Sequence, residues 1–485
     1  MPVPAPVPAV PALVLEGGDK PMLDHLTAHL GGVIESLTPM KAAPTPPAGL
    51  HAFSHHPQAE KHRVHLRIDE DGHGTLLVNA NRFIHLNPTA TFMAYHHLSA
   101  TPPAQTIRAL QKTYQVDDQQ ASQDYQHVSR DIENFLDAPG EPVYTFTPTE
   151  VTRPFSHRPS APYRMDLALT YRCNNDCPHC YNARERDFPE QTTQSWKRII
   201  DRIWDQHIPH IVFTGGEPTL REDLPELIAY AEHKGQITGL NTNARRLSDP
   251  SFVEELVRAG LDHIQITVES HDPGLHDKMV NLRGAWQQTI QGLKYALDSP
   301  LFVMTNTTML EDNYQNLDDT LRFLAGLGVP TIGLNALIYA GGGKNVGSGL
   351  PEEVLPPLLE LAVDITRNAG QRLIWYTPTQ YCRFNPLDMD LGVKGCTAAM
   401  YNMCVEPNGH VLPCQSYYHS LGHMLDDPWA AIWNHPLAVS IRNRSFAPPA
   451  CKDCSLLLEC GGGCPLALEE KAAGADPDRL IPVSL

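Results

Sequence analysis

No stretch of this chain approaches the roughly 20 uninterrupted apolar residues of a membrane-spanning helix, and the start MPVPAPVPAVPALV lacks the basic residues and continuous apolar core of a signal peptide. A cytoplasmic protein with no membrane partner is expected. Positive charge is also short. Lys+Arg 37 against Asp+Glu 55 gives a formal net charge of −18, and no basic run offsets it, so nucleic acid is not an expected partner. Cysteine is absent before Cys173 and clustered after it. Eleven cysteines, an odd number, in a large chain without a secretion signal favour metal ligation over disulfides. Hydrophobic residues at 42% and charged residues at 19% fit a folded protein, whereas 43 prolines mark local proline-rich segments. The 485 residues exceed one ordinary core, and a prior of roughly 150 residues per unit suggests about three domains.

Residues 1–58 repeat Pro, Ala and His and are expected to be mostly flexible, with one short helix near Leu23 to Leu37. His51, His55 and His56 read there as solvated side chains rather than ligands. The pattern changes from Lys61. HRVHLRID and GTLLVNA predict two strands around a turn at Glu70 to Gly74, and RFIHLN a third. Three helices follow: PTATFMAYHHL, then TIRALQKTY with Ile107, Leu110 and Tyr114 on one face, then DYQHVSRDIENFL with Tyr125, Val128, Ile132 and Phe135 on one face. Residues 59–140 are therefore expected to form a winged-helix-like α+β domain.

Between Met165 and Ala340, strands and helices alternate through six β-α steps, which predicts a parallel sheet, either doubly wound or curled into a partial barrel. The stripes Leu224, Leu227, Ile228, Ala231 and Trp286, Ile290, Leu293, Leu297 read as core. GGGKNVGSG, from Gly341, looks like a flexible connector; residues 346–380 read as a linker with a helix from Glu352 to about Asn368. Residues 381–485 are rich in cysteine and poor in long apolar runs, so their folding is expected to depend on metal.

Chemistry concentrates in the loop after the first barrel strand, Cys173-Asn-Asn-Asp-Cys177-Pro-His-Cys180. Three thiolates can hold three irons of a [4Fe-4S] cube and leave the fourth open to a ligand. By itself the triplet also suits zinc. The next strand ends in Thr214-Gly215-Gly216-Glu217-Pro218, where paired glycines allow close backbone approach and Glu217 can accept from an amino group.

Together, in this order, CxxxCxxC and GGE resemble the radical S-adenosylmethionine (SAM) superfamily over residues 160–345. The resemblance implies a partial (β/α)6 TIM-type barrel with metal ligands Cys173, Cys177 and Cys180. SAM would chelate the open iron, with Gly215, Gly216 and Glu217 at its amino group and the His179 backbone near the adenine. Reductive cleavage would then give a 5′-deoxyadenosyl radical that abstracts hydrogen from substrate, with electrons from a low-potential donor such as a flavodoxin or ferredoxin. Further cofactor contacts expected at the strand ends are Asn241, Asn243, Thr267 and Glu269, the last two in a segment resembling the family's ribose-binding strand. Arg283 is expected near the SAM carboxylate. No catalytic acid or base is identified.

Cys396-x12-Gly409-x4-Cys414 and Cys451-x2-Cys454-x5-Cys460-x3-Cys464 fit a zinc ribbon by spacing, but they resemble the SPASM extension of radical SAM peptide-modifying enzymes. That resemblance implies one or two auxiliary iron-sulfur clusters. The first would use Cys396, Cys414 and Cys464, with Cys404 or Cys382 as fourth ligand, and the second Cys451, Cys454 and Cys460. The family's final cysteine is missing. The alternatives are a replacement ligand at Asp476, Asp478 or Glu469, an iron open to a peptide thiolate, and no second cluster at all.

Three strands, three helices and the LLVNANRFIHLNPTATFMAYHHL passage of the 59–140 unit resemble leader-peptide-recognition (PqqD-like) domains, which add a peptide to an open sheet edge. Asp69, Glu70, Asp71, Asp117, Asp118 and Asp124 argue against the DNA-binding alternative; a structural cap is the other. The resulting expectation is an enzyme modifying a ribosomally made peptide. Its rivals are a maturase of a folded protein, as in anaerobic sulfatase activation, and a non-catalytic iron-sulfur DNA sensor.

Overall fold

The computed structural model describes residues 43–54, 63–79, 82–137 and 158–472. The predicted helix at 23–37, His55, His56, Asp476 and Asp478 lie outside them. Four antiparallel strands come first, in the order β1 (Gly49–Ser54), β2 (Arg63–Ile68), β3 (Gly74–Val78), β4 (Arg82–Leu86). Three helices, α1 (Pro88–Leu98), α2 (Pro103–Tyr114) and α3 (Asp118–Asp137), pack on this sheet. Their core carries the anticipated face: Tyr125, Val128, Ile132 and Phe135 are all buried with Leu66, Leu76 and Leu86. Within the 1–58 segment, the described residues hold an unexpected strand. The Gly49–Ser54 strand pairs along the whole of β2, and Phe53 packs beside Tyr95. An unpaired β2 edge would expose a row of backbone donors and acceptors, which β1 satisfies.

The second unit is built on parallel strands β5 (Arg164–Thr170), β6 (His210–Gly215), β7 (Ile237–Thr242), β8 (His263–Thr267), β9 (Phe302–Thr308) and β10 (Thr331–Asn335), each beside its predecessor. A doubly wound sheet would reverse its order at a switch point. This one does not, so the partial barrel is the form adopted. Alternation on each strand explains the two faces. Met165, Leu167 and Leu169 of β5 join the helix-packed core, while Arg164 faces the interior cavity. The stripe Leu224, Leu227, Ile228 and Ala231 is fully buried there. Each such Leu or Ile contributes roughly 1.5–3 kcal/mol.

Two features extend the sheet. The 346–380 segment contains more than a linker and helix: Arg372–Trp375 forms β11, paired in parallel with β10. At the opposite edge β12 (Asn402–Val405) pairs in parallel with β5, and β13 (His410–Leu412) and β14 (Gly422–His423) continue antiparallel. The cysteine-rich segment thus begins as part of the barrel wall. Both edges stay open.

The first unit docks where the barrel strands begin. Arg63 pairs with Asp262 at 3.0 Å, and His65 Nε2 lies 2.9 Å from the Gly235 carbonyl. Arg67, 1% exposed, donates to the carbonyls of Ala161 and Pro162 and stacks over Tyr163. No described helix is long and apolar enough to cross a membrane.

Candidate active site

Cys173, Cys177 and Cys180 lie on the loop after β5 and line a cavity of about 2290 Å³ that runs through the barrel. Local backbone shapes the loop. The Asn175 N–H donates to Cys173 Sγ at 3.4 Å, and the Cys180 N–H to the Cys177 carbonyl at 3.1 Å. The end of β7 braces it: Asn243 Nδ2 donates to Asn174 Oδ1 at 2.7 Å, and the Arg245 guanidinium donates to Asn174 O and Asn175 Oδ1. Arg186 reaches the Asn175 carbonyl at 3.1 Å.

Burial pushes all three thiols above the usual cysteine range, and Cys177 is raised further by Cys180, Glu269 and Cys173 around it. Three sulfurs whose deprotonation is opposed by burial need a cation to become thiolates, which is what bound iron supplies. The set therefore fits a cluster. No three or more His, Cys, Asp or Glu among the described residues converge closely enough for a single metal ion. The ligands of a cubane hold different irons and need not converge.

Gly215 and Gly216 let the end of β6 lie against the end of β5. A Cβ on Gly215, at φ +130°, would sit 2.1 Å from Thr170 O, and one on Gly216 2.4 Å from Arg172 O. Their backbone lines the cavity, as do His179, Asn241, Asn243, Thr267 and Glu269. Two expected contacts do not. Glu217 is fully buried and turned away from the cavity, its carboxylate accepting from the Thr219 N–H and hydroxyl, the Thr242 hydroxyl and the Asn243 N–H at 2.7–3.1 Å. These bonds tie the glycine turn to β7. Burial pushes the Glu217 carboxyl pKa up, and these four donors pull it back only in part. Arg283 is exposed, in the turn before the helix Ala285–Leu297, and does not line the cavity.

His179 and Glu269 share one contact, 3.0 Å from Nε2 to Oε1, and the other Glu269 oxygen accepts from the Thr308 N–H. The expected ribose-binding carboxylate is thus committed to a histidine and a strand end.

The GGGKNVGSG segment is a second correction. Gly341–Lys344 forms a 3-10 turn packed on the cysteine loop, with the Gly342 N–H donating to Cys180 O at 2.8 Å. A Cβ on Gly341 would meet Asn182 O at 2.4 Å and one on Gly342 Pro178 O at 2.3 Å. Close approach, not flexibility, requires glycine there. This brace and Arg245 are supports that motif reading missed; only the glycine run left a visible signal.

Cys396, Cys414 and Cys464 line the same cavity. Burial, then Cys396, push Cys414 and Cys464 up to about 12, the same fit to bound iron. Cys404 is fully buried on β12, with Sγ 3.7 Å from Val405 O. Cys382, Cys451, Cys454 and Cys460 lie outside the cavity lining. Glu469 accepts from the Tyr417 hydroxyl at 2.8 Å and lies in the field of Cys464, not with that second group.

An open parallel barrel with a cysteine tripod at the carboxyl ends of its strands, and a second cysteine set lining the same cavity, has the ligands an iron-sulfur barrel enzyme needs. The Radical SAM superfamily matches residues 167–324, and SPASM, an iron-sulfur cluster-binding domain, matches residues 396–455. The chain is a radical SAM enzyme with a SPASM domain. Its cofactors are SAM with a [4Fe-4S] cluster and the auxiliary iron-sulfur clusters that SPASM indicates. It is 28% identical over 333 residues to a PqqA peptide cyclase of Bradyrhizobium diazoefficiens, covering 65% of this chain and 85% of that one. It is also 28% identical over 327 residues to an Fe-coproporphyrin III synthase of Methanosarcina barkeri, covering 61% and 81%. Among solved structures, Streptococcus suis SuiB bound to its precursor peptide SuiA superposes with a TM-score of 0.62 at 19% identity, covering 84% of this chain and 95% of that one.

Proposed function

We propose that this enzyme modifies a ribosomally made peptide, recruited by the N-terminal α+β unit and presented to the barrel interior. Similarity to the PqqA peptide cyclase supports this reading, and so does the cavity. It runs without a break from Arg82, Phe83 and His85 of β4, past Arg164 and Arg372, to the cysteine loop. Among the described residues β4 is the outer strand of its sheet, and an extended peptide added beside it would lead directly into the cavity. Phe83, 51% exposed there, gives such a peptide an apolar anchor.

When bound, the cluster and SAM supply a 5′-deoxyadenosyl radical. The chain's own residues do the rest. Cys173, Cys177 and Cys180 hold the cluster; the Gly215–Gly216 backbone, His179, Asn241, Asn243 and Thr267 shape the cosubstrate pocket; the barrel walls exclude water. Cys396, Cys414 and Cys464 hold an auxiliary cluster facing the substrate, and Cys451, Cys454 and Cys460 a second one. The enzyme works in the cytoplasm, with a flavodoxin- or ferredoxin-type donor.

The test is anaerobic reconstitution of the full chain with SAM, reductant and peptides encoded by short reading frames beside its gene. Formation of 5′-deoxyadenosine together with a mass change in one such peptide supports the reading. Turnover only on a folded protein, or 5′-deoxyadenosine with every peptide unaltered, overturns it.

A further inference from the structure

The family pattern closes its second auxiliary cluster with a cysteine beyond the CxxCx5CxxxC run, and none follows Cys464 here. The run divides. Cys464 turns toward the cavity with Cys396 and Cys414, leaving Cys451, Cys454 and Cys460 on a chain of short turns. The Cys454 N–H donates to Cys451 O at 3.1 Å and the Cys460 N–H to Leu456 O at 2.8 Å. A cubane on these three thiolates has one iron without a cysteine from the run.

A segment some 70 residues earlier in the chain is clamped onto them. The Tyr381 N–H donates to Cys460 Sγ at 3.4 Å, the same contact that Asn175 makes to Cys173 in the first cluster loop. Cys460 Sγ lies 3.7 Å from the Thr379 carbonyl. The turn itself is rigid: Arg383 and Phe384 N–H groups both donate to Gln380 O, and Tyr381 and Phe384 are buried. Gly463, at φ +95°, allows the approach, since a Cβ there would stand 3.1 Å from Gln380 Cγ. The turn carries Cys382, exposed and next to buried Tyr381, in the electrostatic field of Cys451 along with Cys460 and Cys454. Glu469, the described acidic alternative, is held by Tyr417 on the other cysteine set.

We propose that Cys382 is the fourth ligand of the second auxiliary cluster, completing Cys451, Cys454 and Cys460 from an upstream turn. Ligation requires the thiolate, so the Cys382 proton leaves to solvent as its sulfur-iron bond forms. The cluster is then closed by four thiolates. It relays electrons and takes no substrate, and the auxiliary cluster at Cys396, Cys414 and Cys464 is the one facing the cavity. This inference rests on reading the C-terminal cysteines as cluster ligands.

The test uses full-length protein carrying Cys173→Ala, Cys177→Ala and Cys180→Ala, reconstituted anaerobically and read by iron content and by electron paramagnetic resonance of the reduced state. In this background Cys382→Ser is expected to change or abolish the signal that Cys460→Ala removes, and to spare the signal that Cys396→Ala removes. An unchanged spectrum, or loss of the Cys396-dependent signal, overturns the proposal. A background that binds no iron overturns the reading of the C-terminal cysteines itself, a separate result. As a second readout, Cys382 in the otherwise unmutated holoprotein should resist alkylation until iron is chelated, by peptide mass mapping. Equal labelling before and after chelation overturns the assignment.

Discussion

His179 Nε2 and Glu269 Oε1 meet at 3.0 Å across the mouth of the barrel, though 90 residues separate them in the chain. Burial alone would lower the imidazole pKa, but the charge and hydrogen bond of the carboxylate outweigh it and the net shift is upward. The pair therefore ties the cysteine loop to the end of β8. If Glu269 acts through His179, Glu269→Gln and His179→Phe should each weaken SAM binding by about tenfold, or about 1.4 kcal/mol, and the double variant by no more than either. Anaerobic equilibrium dialysis of the reconstituted variants measures this. Additive losses would mean that Glu269 contacts the cosubstrate independently.

Glu217 satisfies four donors inside the protein. Truncation leaves the Thr219 and Asn243 N–H groups buried without an acceptor, and an unsatisfied buried group costs about 1–3 kcal/mol. Glu217→Ala should therefore lower unfolding stability by on the order of 3 kcal/mol, in urea denaturation followed by circular dichroism, with Glu217→Gln costing less. If Glu217→Ala is as stable as the parent and loses only SAM affinity, the carboxylate faces the cosubstrate after all.

The long elements were legible because their periodicity is strong. Val128, Ile132 and Phe135 announce a helix face, and Met165, Leu167 and Leu169 alternate with residues that look into the cavity. β1 and β11 were not. Six residues among proline and histidine, and the four residues of Arg372–Trp375, carry too little pattern, and neighbours β2 and β10 supply their stability. At the site, motif spacing pointed to Cys173, Cys177, Cys180 and the glycine pair, which the fold brings to one cavity. That spacing left the Glu217 carboxylate undirected, because its orientation is decided by donors from Thr242 and Asn243 on the next strand. Arg283 was placed by analogy of position, and the turn beneath it leaves it exposed.

Gly342 has no room for a side chain against Pro178 O, whereas Gly326, in the helix Leu317–Gly326, has nothing within 4 Å of an added Cβ. Gly342→Ala should displace the loop bearing Cys180 and lower cluster occupancy, read as iron and sulfide bound per chain after reconstitution. Gly326→Ala should retain full occupancy and gain up to about 1 kcal/mol of stability through its better helix propensity. Equal occupancy in the two variants would show that the loop tolerates the displacement.

His210 and His263 form a buried pair at the start of β6 and β8, with Nε2 atoms 2.8 Å apart. Burial, opposed by Asp262 and helped by Arg164, holds His263 at about 4; burial and then the charge of His263 hold His210 well below the usual histidine range. Both rings are neutral in the folded state at pH 7, one donating its Nε2 proton to the other. The unfolded chain protonates both below about pH 6.5, so the folded state binds fewer protons and loses stability as pH falls. That loss is absent above pH 6.5 and runs down to about pH 4 for His263. Its slope is about 1.4 kcal/mol per pH unit for each ring. A His210→Asn, His263→Asn variant lacks this term, so denaturant unfolding of the two proteins should show the parent losing stability more steeply between pH 6.5 and 5. Parallel slopes would mean that the pair takes up a proton while folded, with Asp262 as its counter-charge.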